Sequence, residues 1–389
     1  QRLTWRMWGD VTLNDLSVLV GLNGAGKSNF LDAFAFISDA CNNTLDAALR
    51  NRGGVGAVRR KSGGHPVNFG MSFFVNLDEG RNAFYAFEIS ALPGEKFEVR
   101  KEVASISDPD PTKSYDYKVE RGMIISMTDI GVKPDIRPDR LFLTSVAGLK
   151  PFDLLFDAMS SLVVYDINPD DFRFPQPHEA GSSLNSSGQN LAAVLREVSN
   201  ESPMIYDRIS EYLKRIVSGI ERVEVKSLGP TETIQFSQNV QGGSSPWRFD
   251  ALNMSNGTLR SLGVLTALFH QKMHRNSRAA FTGIEEPEGT IHPGAAAVLM
   301  DAILEAAKSS QVILTTHSPE LLDHSGVRDD NLLVVTSERN ETSVGHADEA
   351  SRRAMRDSLM TAGELLRANQ LAVNKKERVN LSQASLFAQ

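Results

Sequence analysis

The stretch Gly21-Leu22-Asn23-Gly24-Ala25-Gly26-Lys27-Ser28 decides the fold of this chain, because it matches the pattern G-x-x-x-x-G-K-[ST] at every fixed position. Residues 15–20 before it predict a short buried strand, and residues 27–40 after it have the apolar spacing of a helix. Glycines let a loop backbone wrap closely around a phosphate, and the following helix adds its positive N-terminal end. We therefore predict a nucleoside triphosphate site on a strand–loop–helix unit.

The same pattern assigns roles to individual residues of this loop. Lys27 is placed to reach the β- and γ-phosphates, and the Ser28 hydroxyl is placed to ligate Mg²⁺. The residues predicted to contact the nucleotide are Asn23, Gly24, Ala25, Gly26, Lys27, Ser28 and Asn29.

Three later segments narrow the class of nucleotide-binding protein. An apolar strand at 281–284 ends in two carboxylates, of which Glu285 can hold Mg²⁺ and Glu286 can orient and deprotonate a water. Met254-Ser255-Asn256-Gly257-Thr258 leads into a predicted helix at 259–273, and such a turn suits a γ-phosphate. His317 lies just past the end of a predicted strand at 312–314, where the active-site loops of parallel sheets gather. Taken singly, each has a plainer alternative: a solvated carboxylate pair, an ordinary helix cap and a structural histidine.

In this order, the four segments resemble the ABC-type ATPases of the SMC, RecF and OLD group, also described as AAA-family ATPases. The resemblance is closest to the compact bacterial members without a coiled coil. It includes Gly188-Gln189-Asn190-Leu191-Ala192 at a helix entry and Thr361-Ala362-Gly363-Glu364-Leu365-Leu366 near the end. It implies an α/β fold, a P-loop NTPase head of the ABC type with a mostly parallel sheet, an antiparallel β meander and a helical lobe.

The resemblance also implies an activity and a set of site residues. Two copies, or a larger assembly, would close around ATP and Mg²⁺ and reopen on hydrolysis. Glu286 would be the hydrolytic carboxylate and His317 the switch histidine, while Ser255 and Gly257 would complete the ATP site of the opposite protomer. Glu285 stands where most of the group have Asp, and this difference leaves the rate of hydrolysis open.

The process implied by the resemblance is DNA-related, either phage defence or DNA repair, and the implied partner is a separate nuclease or toxin-like effector. Only 72 residues follow His317, so we expect no nuclease domain of the OLD type after it. Two alternatives remain: a non-hydrolysing ATP-bound scaffold and the nucleotide-binding subunit of a transporter. The altered signature disfavours the transporter, because Asn256 and Thr258 replace its second glycine and its glutamine.

Changes in periodicity divide the chain into five predicted segments. The alternation at 67–77, with Phe74 as the odd member, predicts a half-buried strand within an antiparallel meander at 66–128. Further helices are predicted at 152–159, 190–198 and 204–217. The segments are 1–65 with the P-loop, 66–135 as the β subdomain, 136–250 as the helical and signature lobe, 251–371 as the rest of the ATPase core, and 372–389 as a tail.

Composition sets the remaining limits. The 389 residues contain 41 Lys and Arg against 48 Asp and Glu, which gives a net charge of −7 and disfavours a general nucleic-acid coating protein. The single cysteine, Cys41, suits a reducing compartment, and no stretch is long and apolar enough for a membrane span, so we expect a cytoplasmic protein.

One local basic segment remains as a candidate contact to DNA or to a partner. Residues 47–77 contain no Asp or Glu, and a glycine-rich basic loop suits phosphate backbones. A solvated loop and a contact to the nucleotide itself are the alternatives. The candidate residues are Arg50, Arg52, Arg59, Arg60 and Lys61.

Overall fold

The computed structural model describes residues 2–6, 10–58, 68–77, 80–132, 134–181, 183–240, 245–273, 281–338 and 341–374. The strands within these ranges are β1 (Arg2–Arg6), β2 (Asp10–Val11), β3 (Leu16–Val20), β4 (Asn68–Asn76), β5 (Asn82–Leu92), β6 (Lys96–Ser107), β7 (Tyr115–Glu120), β8 (Met123–Met127), β9 (Leu162–Tyr165), β10 (Gln176–Pro177), β11 (Ile220–Leu228), β12 (Thr231–Gln238), β13 (Trp247–Asp250), β14 (Phe281–Glu285), β15 (Gln311–Thr316), β16 (Leu332–Glu338) and β17 (Glu341–His346).

The α-helices within the same ranges are α1 (Lys27–Asn42), α2 (Leu45–Arg50), α3 (Val55–Val58), α4 (Phe142–Val146), α5 (Asp153–Ser160), α6 (Leu191–Glu201), α7 (Pro203–Ile216), α8 (Asn256–Phe269), α9 (Ala296–Ala307), α10 (Pro319–Leu322), α11 (Glu349–Arg356) and α12 (Ala362–Arg367). No helix in the described ranges combines the length and the apolar composition that a bilayer span requires.

A six-stranded sheet with the order β17-β16-β3-β15-β14-β9 positions the predicted site. Every neighbouring pair from β16 to β9 is parallel, and β17 adds an antiparallel edge. Because parallel strands end at one edge of their sheet, the residues that follow β3, β15 and β14 lie side by side. The P-loop, His317 and the carboxylate pair therefore meet at that edge, as the strand-end argument predicts.

Apolar cores cover both faces of this sheet. Leu19 of β3 packs with α1, α4, α5 and the antiparallel sheet in one core, whereas Val18 and Val20 pack with α6, α7, α8 and α9 in the other. Every residue of β3 and β15 is buried. Burial on both faces is the pattern of a parallel sheet between two layers, and it explains why these strands read as continuous apolar runs.

The predicted antiparallel meander is a seven-stranded sheet with the order β2-β1-β4-β5-β6-β7-β8. Phe74, the odd member of β4, pairs with Phe84 of β5, and their ring centroids lie 4.7 Å apart. The aromatic pair explains an apolar residue on the outer face. The sheet also includes β1, which lies in the segment that was predicted to belong to the ATPase core.

The segment 136–250 differs most from its prediction as a helical and signature lobe. It contains α6 and α7 close to their predicted bounds, but it also supplies β9 to the parallel sheet and β10 to β13 to a four-stranded antiparallel sheet. β9 has only four residues, and β16 and β17 were also not predicted. A strand as short as β9 depends on its neighbours for hydrogen bonds and carries little periodicity of its own.

Glu102 of β6 is a fully buried carboxylate that joins the antiparallel sheet to α4. It accepts hydrogen bonds from the hydroxyls of Tyr85 and Tyr117, at 3.1 and 2.8 Å, and from the backbone N–H groups of Phe142 and Leu143, at 2.6 and 2.8 Å. Burial raises the pKa of Glu102, and these four donors oppose the rise. The first turn of α4 is thus capped by a distant strand.

We predict that Glu102→Ala lowers the free energy of unfolding by about 3–5 kcal/mol, because it leaves four buried donors without an acceptor. Tyr117→Phe removes one donor and should cost about 1.5 kcal/mol. Glu98→Ala, a half-buried glutamate on the same strand, is the matched control and should change stability by less than about 0.5 kcal/mol. Urea unfolding measures all three, and a Glu102→Ala loss no larger than that of Tyr117→Phe would refute the joint role.

Candidate functional site

The P-loop leaves the N-terminus of α1 open. Gly26 is the N-cap with a φ of 104°, and no side chain caps the helix. A Cβ at Gly26 would be strained at that φ and would lie 2.6 Å from Thr342 Oγ1 on β17. The Thr342 hydroxyl also donates to the Ala25 carbonyl at 3.2 Å. The loop is therefore held from β17, and the positive end of a 16-residue helix is accessible to an anion.

The seven predicted nucleotide contacts divide by exposure. Asn23, Gly24, Ser28 and Asn29 are exposed, Gly26 is half-buried, and Ala25 and Lys27 are buried. Lys27 folds back over the loop, and its Nζ donates to the carbonyls of Gly21 and Leu22, at 2.9 and 3.2 Å. Burial lowers the pKa of Lys27, while Glu286, Glu288 and Glu285 act in the opposite direction.

Glu285 lies at the end of β14, and its carboxylate accepts a hydrogen bond from the Ser28 hydroxyl. Burial raises the pKa of Glu285, with smaller upward contributions from the charges of Asp166, Glu286 and Asp32, and the bond from Ser28 lowers it. The structure thus brings together the two residues that were predicted to ligate Mg²⁺, in surroundings with an excess of negative charge.

Glu286 has a strained backbone that points its carboxylate towards His317. Its φ is 39°, in the left-handed region, and its N–H donates to the carbonyl and to the hydroxyl of Thr315, at 3.1 and 3.2 Å. Its Oε1 lies 3.1 Å from His317 Nδ1, and the two side chains are 41% and 50% exposed. Strain of this kind persists only where neighbouring groups enforce it. The backbone of Glu286 is therefore held by its neighbours, and its side chain meets His317 at the solvent-facing edge.

The signature segment starts α8 at the surface. Ser255 is the N-cap, and its hydroxyl accepts a hydrogen bond from the Thr258 N–H at 3.2 Å, so the helix begins three residues before its predicted start. Ser255 and Asn256 are exposed, whereas Met254 and Thr258 are buried. Gly257 lies so close to the next loop that a Cβ there would approach the Thr290 carbonyl oxygen to 2.5 Å. The segment presents its polar cap outwards and anchors its flanks within the subunit.

Several residues that build this site received no role from the sequence. Thr315 and Thr316 connect β15 to the loop after β14, and Glu288 accepts a hydrogen bond from Thr316. Arg260 of α8 donates to the carbonyls of Glu285 and Glu286, both at 3.1 Å. The threonine pair next to His317 and Glu288, the second glutamate after β14, were visible polar signals at strand ends. Arg260 and Thr342 gave no signal, because their partners are distant in the chain.

The C-terminal segment 361–366 lies next to the histidine loop. It forms most of α12, which begins with a capping box between Thr361 and Glu364 and packs against α10. The Thr361 hydroxyl donates to Asp323 at 2.5 Å, and Asp323 directly follows α10. α10 in turn begins two residues after His317.

Arg52, one of the predicted contacts to DNA or a partner, is engaged within the chain. Its guanidinium forms ion pairs with Asp32 and Asp39, both at 2.8 Å, and its side chain is only 13% exposed. It holds the end of α2 against α1, which explains the basic residue without a ligand. Arg50 is 77% exposed and pairs with Asp46 on its own helix, so its contact to DNA or a partner stays a prediction. Arg59, Arg60 and Lys61 lie outside the described residues.

Within the described ranges, no cluster of three or more His, Cys, Asp or Glu side chains forms a protein-only metal site. A magnesium ion in a nucleotide site needs few protein ligands, because phosphates and waters fill most of its coordination sphere. The paired Ser28 hydroxyl and Glu285 carboxylate fit that requirement.

Comparisons with known proteins agree with this architecture. The family model described as "AAA domain, putative AbiEii toxin, Type IV TA system" matches residues 16–323. A solved Smc head bound to the C-winged helix domain of ScpA is similar, with a TM-score of 0.51 and 16% identity over 88% of this chain and 97% of that chain. An Smc head domain with an extended coiled coil, bound to the C-terminal domain of ScpA from Pyrococcus furiosus, gives a TM-score of 0.48 and 14% identity over 90% and 94%. No curated protein matches the chain. The predicted ABC-type head fold is confirmed.

We predict that Gly26→Ala destabilises the protein more than Gly24→Ala does. Both glycines have a positive φ, at 104° and 77°, but only Gly26 faces an obstacle, since a Cβ at Gly24 meets no atom within 4 Å. The strain should cost about 1–2 kcal/mol at either position, and the clash with Thr342 about 1–3 kcal/mol more. Thermal unfolding of both variants measures the difference.

The double variant Gly26→Ala/Thr342→Ala serves as the control, because it removes the obstacle and keeps the strain. It should recover most of the extra loss, after correction for Thr342→Ala alone. Equal losses for the two glycine variants would contradict the contact with β17.

Proposed function

The chain belongs to this family of AAA domains, and on that premise we propose that it binds ATP with Mg²⁺ and hydrolyses the ATP at a site shared by two copies. The observation that supports hydrolysis most directly is a set of two side-chain contacts at adjacent strand ends. Ser28 bonds to Glu285, and Glu286 lies against His317, with Lys27 within electrostatic reach of both glutamates. A merely structural loop would not need this concentration of charge.

Each group has a definite task in this proposal. The open N-terminus of α1 and Lys27 bind the phosphates, and Ser28 with Glu285 would hold Mg²⁺. The metal ion, when bound, neutralises charge on the β- and γ-phosphates. Glu286 accepts hydrogen bonds from the attacking water and takes its proton, which is the role of a general base. His317 contacts the Glu286 carboxylate through its ring and would orient it, and it would also bind the terminal phosphate.

The second copy contributes its signature segment to the proposed site. Ser255 and Asn256 are exposed at the start of a 14-residue helix, and Gly257 allows that helix to lie against the Thr290 backbone. A helix N-terminus that faces outwards is suited to an anion on another molecule. We assign that anion to the γ-phosphate bound by the partner copy. ATP then stabilises the closed dimer, and hydrolysis releases it.

The proposed process is defence, in which a separate effector responds to the closed and open states of the dimer. The family description refers to a toxin–antitoxin system, which supports defence over DNA repair. The similar Smc head is bound to a domain of another protein, which supports regulation through a docked partner. A nuclease or toxin-like effector in the cytoplasm is the partner we propose. Direct DNA contact would involve the basic segment that contains Arg50.

We predict that Glu286→Gln abolishes phosphate release and traps an ATP-bound dimer. The amide keeps the size of the side chain but cannot take a proton from water. Phosphate release should fall at least about a hundredfold, and light scattering should show twice the monomer mass with ATP and Mg²⁺ only. Glu201→Gln, at an exposed position at the end of α6, should behave like the wild type.

Two outcomes would contradict this proposal in different ways. An unchanged monomer mass with ATP would remove the shared site. Equally negligible phosphate release from the wild type and from Glu286→Gln would leave a non-hydrolysing scaffold.

We further predict that Lys27→Ala and Ser255→Arg, each inactive alone, restore activity when mixed. In a two-fold dimer of the two variants, one site carries both changes and the other carries neither. An equal mixture should therefore show about a quarter of the wild-type rate. Phosphate release after mixing measures it.

A mixture of Lys27→Ala and Glu286→Gln is the matched control. Lys27 and Glu286 belong to the same half of each site, the half that contains the P-loop. Each site takes that half from one of the two variants, so every site in that mixture is defective. Recovery in the control, or no recovery in the first mixture, would exclude the shared arrangement.

A further inference from the structure

Glu288 has no part in the function proposed above, yet it contacts the loop that carries His317. The Thr316 hydroxyl donates a hydrogen bond to Glu288 Oε1, and the same hydroxyl oxygen accepts a hydrogen bond from the Ser318 N–H at 3.0 Å. The backbone N–H of His317 lies near this carboxylate and lowers its pKa. Three consecutive residues around the histidine are thus connected to one side chain.

The partial burial of the Glu288 side chain is unusual for a glutamate. Its Oε2 is buried and lacks a hydrogen-bond partner within the described structure. Burial raises the pKa of the carboxyl group, and the charge of His317 opposes that rise. Glu288 also attracts the Lys27 ammonium across the site. A partly buried carboxylate with one unsatisfied oxygen is costly, so its attraction to Lys27 and its contact with the His317 loop call for a functional explanation.

His317 has two separate contacts to the loop that follows β14. Glu286 contacts the ring at Nδ1, whereas Glu288 contacts the backbone side through Thr316. The ring contact is exposed, whereas the contact between Glu288 and Thr316 is partly buried and Thr316 itself is fully buried. A solvent-exposed pair gains little from its charges alone, so the less exposed contact to Thr316 is the one that can define the orientation of the loop.

From this geometry we propose that Glu288 is a positioning residue, which holds the β15 loop so that the His317 ring stays aligned with Glu286. This inference rests on the hydrolytic function proposed above. It assigns Glu288, the second carboxylate after β14, to the histidine, and it leaves the metal and water roles to Glu285 and Glu286.

The kinetic test compares Glu288→Ala, His317→Ala and the double variant. Removal of Glu288 should lower kcat about tenfold or more, with KM for ATP within about twofold, because the phosphate-binding groups remain. The double variant should be no slower than His317→Ala, since both changes remove one function. Glu288→Gln keeps an acceptor for Thr316 and should recover most of kcat. Thr316→Val, which removes the donor and keeps the shape, should resemble Glu288→Ala.

A second measurement separates this inference from hydrolysis. In protein with ¹³C-labelled histidine, the His317 ring signal is identified by its loss in His317→Ala. Glu288→Ala and Thr316→Val should shift that signal without nucleotide, whereas Glu201→Ala should not. If the signal moves but the wild type releases no phosphate, the positioning role stands and the hydrolytic function fails.

Three results would overturn the proposal itself. They are an unmoved His317 signal in Glu288→Ala, a wild-type kcat in that variant, and a double variant that is slower than His317→Ala by the full factor that Glu288→Ala shows alone. If Glu288→Ala does not fold, Glu288→Gln and Thr316→Val test the proposal. The His317 ring signal must keep its wild-type position in Glu288→Gln and must shift in Thr316→Val.

Discussion

The position of β15 between β3 and β14 is the constraint on which the site depends. In the parallel register, Thr316 of β15 lies level with Val20 of β3, and Thr315 lies level with Glu285 of β14. The chain therefore leaves all three strands at one level. A shift of one residue in β15 would turn its threonines to the opposite faces of the sheet. The phosphate loop, the carboxylates and the histidine meet only because this register is kept.

The pKa values of the charged groups in the site reflect its place between two apolar cores. Glu285 and Glu288 are partly withdrawn from water, which raises the pKa of both groups, and Lys27 is buried beside them. Three carboxylates around one ammonium leave an excess of negative charge. Burial makes such an excess costly, and a bound divalent cation would offset it. The protein alone is therefore less well balanced than the protein with its proposed ligands.

The lobes are connected to this centre by a few long-range contacts. Arg260 connects the signature helix α8 to the carbonyls of Glu285 and Glu286, and Thr342 connects β17 to the P-loop. Glu102 performs a similar task away from the site, where it joins the antiparallel sheet to α4. Each contact joins residues far apart in the chain. A displacement of the signature helix would therefore act directly on the backbone that carries the carboxylates.

The sequence by itself determined the local units: the P-loop with its strand and helix, the carboxylates at the end of β14, the histidine after β15 and most of the antiparallel meander. These units depend on periodicity and on glycine and capping residues, which act over a few positions. Only the tertiary structure decided the short strand β9, the involvement of Glu288 and the threonine pair, and the ion pairs that remove Arg52 from the basic loop. The reason is physical: a four-residue strand, a hydroxyl or a guanidinium acquires its role from partners tens to hundreds of residues away, and no local pattern records where folding will bring them.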